Sequence, residues 1–448
     1  MQAEDLFRLA ALPPADLRAL AEAVSGTLLP DPQVSATPLA YDWGSPVTAG
    51  LWRVEVSSLA HGCTFFVKLV RHTRLWPGLR WLPDDEARAE FIGFYPWQYE
   101  LDIHQSGIGS VLPDGMRTPR LHQVGRPDAD HMSLWWEFVH ERANPWTLAD
   151  YRLAARLLGQ LAARRRAGAQ VNQALPAIAR TTHNGGSALR FYTSRRVFGG
   201  MLPVLQSGQV WQHPVLTEAL QLVGDRQLPA DMVALGARLP QVLDMLDDLP
   251  QTYAHGDASP QNLLLPAGEP GTIAVIDWGF GTLLPVGFDL GQLLVGLAHA
   301  GQTDPAAIPA IDAEIFPAYL AGLAAEAYQV DPAQVRAGYL GSLAARSALC
   351  AIPFEALENA VPGEQTTAMF AGRMKLTRLM LDLAAAALPA GPCGVPDYGC
   401  YVVDVVEMPG GDADHQVIGL VIGQGQPAAV EAAERNDNRE QVRSGGPG

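Results

Sequence analysis

The 448-residue chain contains only two lysines, Lys68 and Lys375, and four cysteines, Cys63, Cys350, Cys393 and Cys400. Neither lysine follows a glycine, so no G-x-x-x-x-G-K-[ST] loop can bring an ammonium to a phosphate. The cysteines form no C-x-x-C and have no histidine at zinc-ligand spacing, which leaves a zinc site without support and favours a reducing compartment over a disulfide scaffold. Positive charge is scarce. Lys and Arg number 31 against 47 Asp and Glu, a net charge of −16, which gives no general attraction for nucleic acid or an anionic membrane. No apolar run reaches the ~18 residues of a membrane span. Met1 to Leu12 carries Glu4 and Asp5 and lacks the basic start of a signal peptide, so a cytoplasmic location is expected. H-E-x-x-H and G-x-S-x-G are also missing, which leaves metalloprotease and serine hydrolase without a motif. With 48% apolar and 17% charged residues the chain has what it needs to fold around cores.

Four regions differ in texture. Residues 1–36 read as a helical N-terminal extension, with Leu6, Leu9, Leu17, Leu20 and Ala23 near helical spacing and a break at Pro13-Pro14. Residues 37–140 alternate, with strands expected at Leu51–Val56, Thr64–Val70 and Ser133–Val139, a turn near His61-Gly62, and helix from about Glu86 to Gln105. Residues 141–387 are mainly helical. One helix starts after Thr147 as N-cap and runs to about Arg166, and a short β-like patch lies at Asn262–Leu265 and Thr272–Ile276. Residues 388–448 end in a polar run and are expected as a flexible tail.

The chemistry concentrates in Tyr253-Ala-His255-Gly256-Asp257-Ala-Ser-Pro-Gln-Asn262, followed by Val275-Ile276-Asp277-Trp278 and Gly287-Phe-Asp289-Leu290. Phosphoryl transfer needs a carboxylate beside the attacking hydroxyl and a divalent metal on the phosphate oxygens. Mg²⁺ takes hard oxygen ligands. Asn262 and Asp277 supply an amide oxygen and a carboxylate, which leaves Asp257 free to act as base. Lys68 sits in the apolar run Phe65–Val70, where a lysine is costly unless it meets an anion.

This ordered series of motifs resembles the aminoglycoside phosphotransferase and choline kinase superfamily. The resemblance implies an α+β, bilobal protein-kinase-like fold, with a small β-rich N-lobe over 37–140 and a larger helical C-lobe over 141–387. It implies Asp257 as catalytic base, Asn262 and Asp277 as metal ligands, and His255 and Asp289 as braces of the catalytic loop. Kinase-like folds place a lysine on the third strand, against phosphate oxygens and a helix glutamate. Lys68 fits that position, with Glu100 as partner and Glu86 and Glu90 as rivals. Ser45, in a loop that lacks G-x-G-x-x-G, stands where phosphates are covered, and Glu137–Val139 where backbone amides would hold adenine.

The expected cofactors are ATP and Mg²⁺, and the expected partner is a small-molecule hydroxyl acceptor, with no nucleic acid and no membrane. Family acceptors include aminoglycosides, choline, sugars and amino alcohols. Glu355, Glu358 and Asp304 are candidate contacts for a cationic acceptor. A catalytically silent nucleotide-binding protein and a protein kinase are the alternatives, and the second lacks D-F-G and A-P-E. Two further patterns are given no chemistry. Val421–Ala428 imitates a dinucleotide loop but contains Pro427, and Arg164-Arg165-Arg166 reads as a basic helix end.

Overall fold

The structure is a computed structural model that describes residues 12–39, 45–58, 61–82, 84–174 and 188–387. The expected tail and the glycine-rich pattern at 421–428 lie outside the described residues, as does most of the loop before Ser45. Among the described residues the strands are β1 (Gln33–Pro38), β2 (Thr48–Ser58), β3 (His61–Arg71), β4 (Met116–Arg117), β5 (Leu121–Gly125), β6 (His131–Glu137), β7 (Gln251–Ala254), β8 (Leu263–Leu264), β9 (Ile273–Val275) and β10 (Thr282–Pro285). The chain divides into two compact units. One takes the described residues up to His72 with Arg120–Phe138, and the other takes Thr73–Pro119 and Val139 onward.

The first unit is an antiparallel sheet in the order β1-β2-β3-β6-β5. Alternation along β2 and β3 places Trp52, Val54 and Val56 with Phe65, Val67 and Leu69 on one face. That face is buried with Trp135 against Leu17 and Ala21 of the helix Pro14–Ser25. The helix starts with proline in its first turn and stops at Gly26, whose φ of 67° turns the chain out of helix. His61 and Gly62, near which a turn is expected, themselves pair into the ladder, His61 with Ser58 and Gly62 with Ser57.

The second unit is mainly helical, so the class is α+β as the motifs imply. The helical stretch expected over 86–105 is two helices, Asp85–Phe94 and Tyr99–Gln105, broken around Pro96. Helix Leu148–Arg164 begins at a reciprocal cap in which Thr147 accepts the Asp150 amide and Asp150 accepts the Thr147 amide. It packs along Ile308–Ala325 through paired glycines. A Cβ on Gly159 would stand 2.2 Å from the Tyr319 carbonyl oxygen, and one on Gly322 2.1 Å from that of Arg156. By length and composition alone, the stretch Pro305–Ala325 is the one described segment apolar enough to cross a membrane. Within it Ile308, Ile311, Ile315, Ala318, Tyr319 and Leu323 are buried.

Candidate active site

The strand β7 pairs with β10, Ala254 opposite Thr282, and delivers the chain into the loop that begins at His255. Asp289, in the first turn of helix Phe288–His299, reaches back to this loop. Its two carboxylate oxygens accept the backbone N–H groups of His255 and Gly256, each at 2.9 Å. Burial raises the Asp289 carboxyl above its ordinary value, while His255, the two amides and Arg346 pull the other way. The His255 ring is fully buried and uses both nitrogens. Nδ1 accepts the Asp257 amide at 3.2 Å, so Nε2 carries the hydrogen and donates to the Ile276 carbonyl at 2.9 Å. One imidazole thus ties the residue before Asp277 to Asp257.

Gly256 is required by this turn. Its φ is 82°, and a Cβ would stand 2.1 Å from the Phe280 carbonyl oxygen.

Asn262 closes the loop on itself. Its Nδ2 donates to the Asp257 carbonyl at 2.9 Å and to Asp257 Oδ2 at 3.1 Å, which leaves Oδ1 available as a hard ligand. The next residues pair β8 with β9, Leu263 opposite Val275, and the Ile276 amide donates to the Asn262 carbonyl at 3.0 Å. The hairpin therefore sets Asp277 immediately beyond the cross-strand partner of Asn262. Asp277 is half-buried and has a φ of 56°, a left-handed conformation that costs a non-glycine residue about 1–3 kcal/mol. The pair fits Mg²⁺, which takes one or two protein ligands and completes its shell with water and phosphate oxygens. Among the described residues no group of three or more His, Cys, Asp or Glu forms a self-sufficient metal cage.

The remaining carboxylate oxygen of Asp257 is held by a residue that the motifs do not contain. Arg346 Nη2 donates to Asp257 Oδ1 at 2.8 Å, and its Nη1 donates to the Gly256 carbonyl. Arg346 lies in a π-helical turn, Ala344–Ala348, at the end of helix Pro332–Leu343. The wider turn projects it toward the loop. Its guanidinium stands 5.7 Å from the Phe288 ring centre, 5.8 Å from Phe280 and 6.0 Å from Tyr192.

A second arginine behind the loop corrects the reading of Arg164–Arg166 as no more than a basic helix end. Arg165 is 1% exposed and lies 5.3 Å from the ring of Tyr253 and 5.9 Å from that of Trp278. Burial pushes it down to about 10. Arg164 instead pairs with Glu326 at 2.8 Å, and Arg166 stands 5.6 Å from the Tyr328 ring. The run looked uniform, but the helix end buries its middle member beneath β7.

The other expected residues fall in different places. Lys68 is buried on β3, opposite Leu51 and Leu134, and alternation puts it on the face away from the Phe65–Val67–Leu69 core. Ser45 accepts the Thr48 amide at 3.2 Å and the Thr48 hydroxyl at 3.1 Å. Glu137 ends β6, its side chain accepting the Arg120 amide at 3.1 Å, and Val139 follows the division between the units. Glu100 is half-buried in the first turn of Tyr99–Gln105, in the second unit. Its rival Glu90 is committed to an ion pair with Arg195, and Glu86 is exposed. Of the three acids considered for a cationic acceptor, Asp304 caps a helical turn through the Ala306 amide at 2.9 Å and Glu358 is exposed. Glu355 is paired with Arg196 at 3.0 Å.

The family model described as the phosphotransferase enzyme family matches residues 104–336, a little over half of the chain. No curated protein matches the sequence. Among solved structures, an aminoglycoside phosphotransferase from Alicyclobacillus acidocaldarius is 13% identical with a TM-score of 0.44, over 75% of this chain and 90% of that one. An amicoumacin kinase in complex with AMP-PNP, Ca²⁺ and Ami is 14% identical with a TM-score of 0.44, over 85% and 92%. An ethanolamine kinase from Plasmodium vivax is 11% identical with a TM-score of 0.42, over 79% and 83%. The matched segment includes every motif from His255 to Asp289 that carried the resemblance. On that match the chain belongs to the phosphotransferase enzyme family.

Proposed function

We propose that this protein transfers the γ-phosphate of ATP to a hydroxyl group of a small molecule, with Asp257 as the general base. The observation that carries the reading is the fixing of Asp257. Its main chain is held through His255, its Oδ2 by Asn262 and its Oδ1 by Arg346. A carboxylate so held is oriented before an acceptor arrives, which is what in-line transfer asks of the protein. Asp257 accepts the hydroxyl proton as the acceptor oxygen bonds to phosphorus and the bond to the β-phosphate oxygen breaks, giving a phosphate monoester and ADP. Asn262 Oδ1 and the Asp277 carboxylate would hold Mg²⁺, which when bound neutralises charge on the phosphate oxygens. Lys68, the buried ammonium of β3, is assigned to phosphate oxygens of the nucleotide.

A coupled ADP-release assay with Mg²⁺-ATP tests this across hydroxyl acceptors of different charge. The expected outcome is acceptor-stimulated ADP release that disappears in Asp257→Ala. ATP binding with no release under any acceptor would favour the silent nucleotide-binding protein. Transfer to peptides in place of small molecules would favour a protein kinase.

A further inference from the structure

Asp277 has a φ of 56°, which an L side chain disfavours and which persists only where the surrounding structure enforces it. The hydrogen bonds on its N-terminal flank are already described. The Ile276 amide donates to the Asn262 carbonyl at 3.0 Å, and His255 Nε2 donates to the Ile276 carbonyl at 2.9 Å. These bonds fix the chain that enters Asp277. The chain that leaves it is fixed from a different part of the sequence.

The exit is a tight turn. The Gly281 amide donates to the Trp278 carbonyl at 2.9 Å and closes the turn Trp278–Phe280. The turn folds back on the aspartate, so that a Cβ on Gly279 would stand 3.3 Å from Asp277 Oδ1. Trp278 is buried, its ring centre 4.7 Å from that of His255 and 5.9 Å from the Arg165 guanidinium. The carbonyl of Gly281, where the turn ends, accepts the hydroxyl of Tyr99, a bond between residues 182 positions apart. Tyr99 is 7% exposed and opens the helix Tyr99–Gln105, which packs on Trp278–Phe280 within the same unit. A phenylalanine ring would make the same apolar contacts. The hydroxyl adds one thing, a donor aimed at the main chain of the turn that carries Asp277.

We infer that Tyr99 is a positioning residue for the metal, whose bond to the Gly281 carbonyl keeps Asp277 in the left-handed conformation in which it would hold Mg²⁺ with Asn262. The inference rests on the assignment of Asn262 and Asp277 as metal ligands. Without the anchor the turn relaxes, and only a fraction of the molecules presents Asp277 correctly. The apparent affinity for the metal then falls by that fraction. Asp257 and the contacts to metal-free nucleotide are untouched.

The test is calorimetric titration of AMP-PNP into wild type, Tyr99→Phe and Tyr339→Phe across a series of Mg²⁺ concentrations, with a thermal melt of each. Tyr339 is the control. Its hydroxyl is also buried and donates to Asp312 at 3.0 Å, in a different network. Tyr99→Phe is expected to need about five- to tenfold more Mg²⁺ for half of the metal-dependent gain in affinity, the scale of one lost hydrogen bond. Its AMP-PNP affinity without Mg²⁺ should equal that of the wild type. Tyr339→Phe should lower Tm and leave the Mg²⁺ midpoint in place. If Tyr99→Phe does not fold, hydrogen exchange of the wild-type Gly281 amide decides. A turn that holds the metal is held by it in return, so Mg²⁺ added to the AMP-PNP complex should slow that exchange about fivefold or more.

A wild-type Mg²⁺ midpoint in Tyr99→Phe would overturn the inference and reduce Tyr99 to packing. So would an equal shift in Tyr339→Phe, which would trace the effect to lost stability, or a Gly281 exchange rate indifferent to Mg²⁺. AMP-PNP binding by the wild type with no dependence on Mg²⁺ would remove the metal assignment, and the inference with it.

Discussion

Two polar networks of the second unit are built differently. On one side Asp289 and His255 form a closed set in which both carboxylate oxygens and both ring nitrogens have backbone partners. On the other side Arg196, Glu355 and Arg373 form an open set in which buried Glu355 Oε2 and Arg373 Nη1 have none. The closed set has the character of scaffold. Every hydrogen bond in it ends on main chain, so it fixes the path of the loop and nothing else. The open set leaves one donor, Arg373 Nη1, and one acceptor, Glu355 Oε2, without a hydrogen-bond partner. Arg346 ties the catalytic loop to the helix end that carries it, since it donates to the Gly256 carbonyl and to the Asp257 carboxylate.

If that contrast is right, damage to the closed side should cost stability first. The largest effect is expected from Gly256→Ala. Its φ of 82° and the Phe280 oxygen 2.1 Å from the new Cβ force the loop to move. We expect a loss of about 3 kcal/mol or more by denaturant unfolding, with ADP release abolished. Asp289→Ala comes next. It leaves two buried amides without an acceptor, at about 1–3 kcal/mol each, and the same unfolding experiment should show a loss within about 2–6 kcal/mol. Wild-type stability in this variant would dissolve the distinction between the two sides.

Arg346→Lys probes the arginine that holds Asp257. The charge remains, but one ammonium cannot span both the Gly256 carbonyl and Asp257 Oδ1. Turnover should fall about tenfold, through kcat more than through the nucleotide KM, because the base loses orientation and not its identity. The smallest effect is expected far from both networks. Arg117 grips Glu269 with bonds of 2.7 and 2.9 Å, and this holds the Glu269 carboxyl below its ordinary 4.5. A depressed carboxyl contributes stability above its unfolded value and loses it as pH falls through the folded one. Glu269→Gln should flatten the acid side of the stability profile by less than about 1 kcal/mol, since the pair is partly exposed and screened by solvent.

The parts of the site that were legible in the sequence are local. His255, Asp257, Asn262 and Asp277 lie within one strand–loop–hairpin, and the pairing of Leu263 with Val275 follows from two short apolar runs. The Thr147 cap was legible for the same reason, since Thr147 and Asp150 stand three positions apart. Arg346 was not, because its bond to Asp257 joins residues 89 positions apart. Its one signal was an arginine inside the small-residue run Ala344-Ala-Arg-Ser-Ala, which an apolar helix face has no use for. Arg165 was misread because three consecutive arginines carry no periodicity, and only the tertiary fold decides which of them β7 covers. Glu355 looked like a free acid for the same reason, since its partner Arg196 is 159 positions away.

The central claim is a division of labour between two aspartates set by one hairpin, Asp257 as base and Asp277 as metal ligand. The most direct test is calorimetric titration of AMP-PNP, with and without Mg²⁺, into Asp257→Ala and Asp277→Ala, alongside their ADP release. The account predicts that Asp257→Ala binds the nucleotide with wild-type Mg²⁺ dependence and loses ~10²–10⁴-fold in turnover. Asp277→Ala should lose the Mg²⁺-dependent part of binding. Wild-type turnover in Asp257→Ala, or unchanged Mg²⁺ dependence in Asp277→Ala, would contradict it.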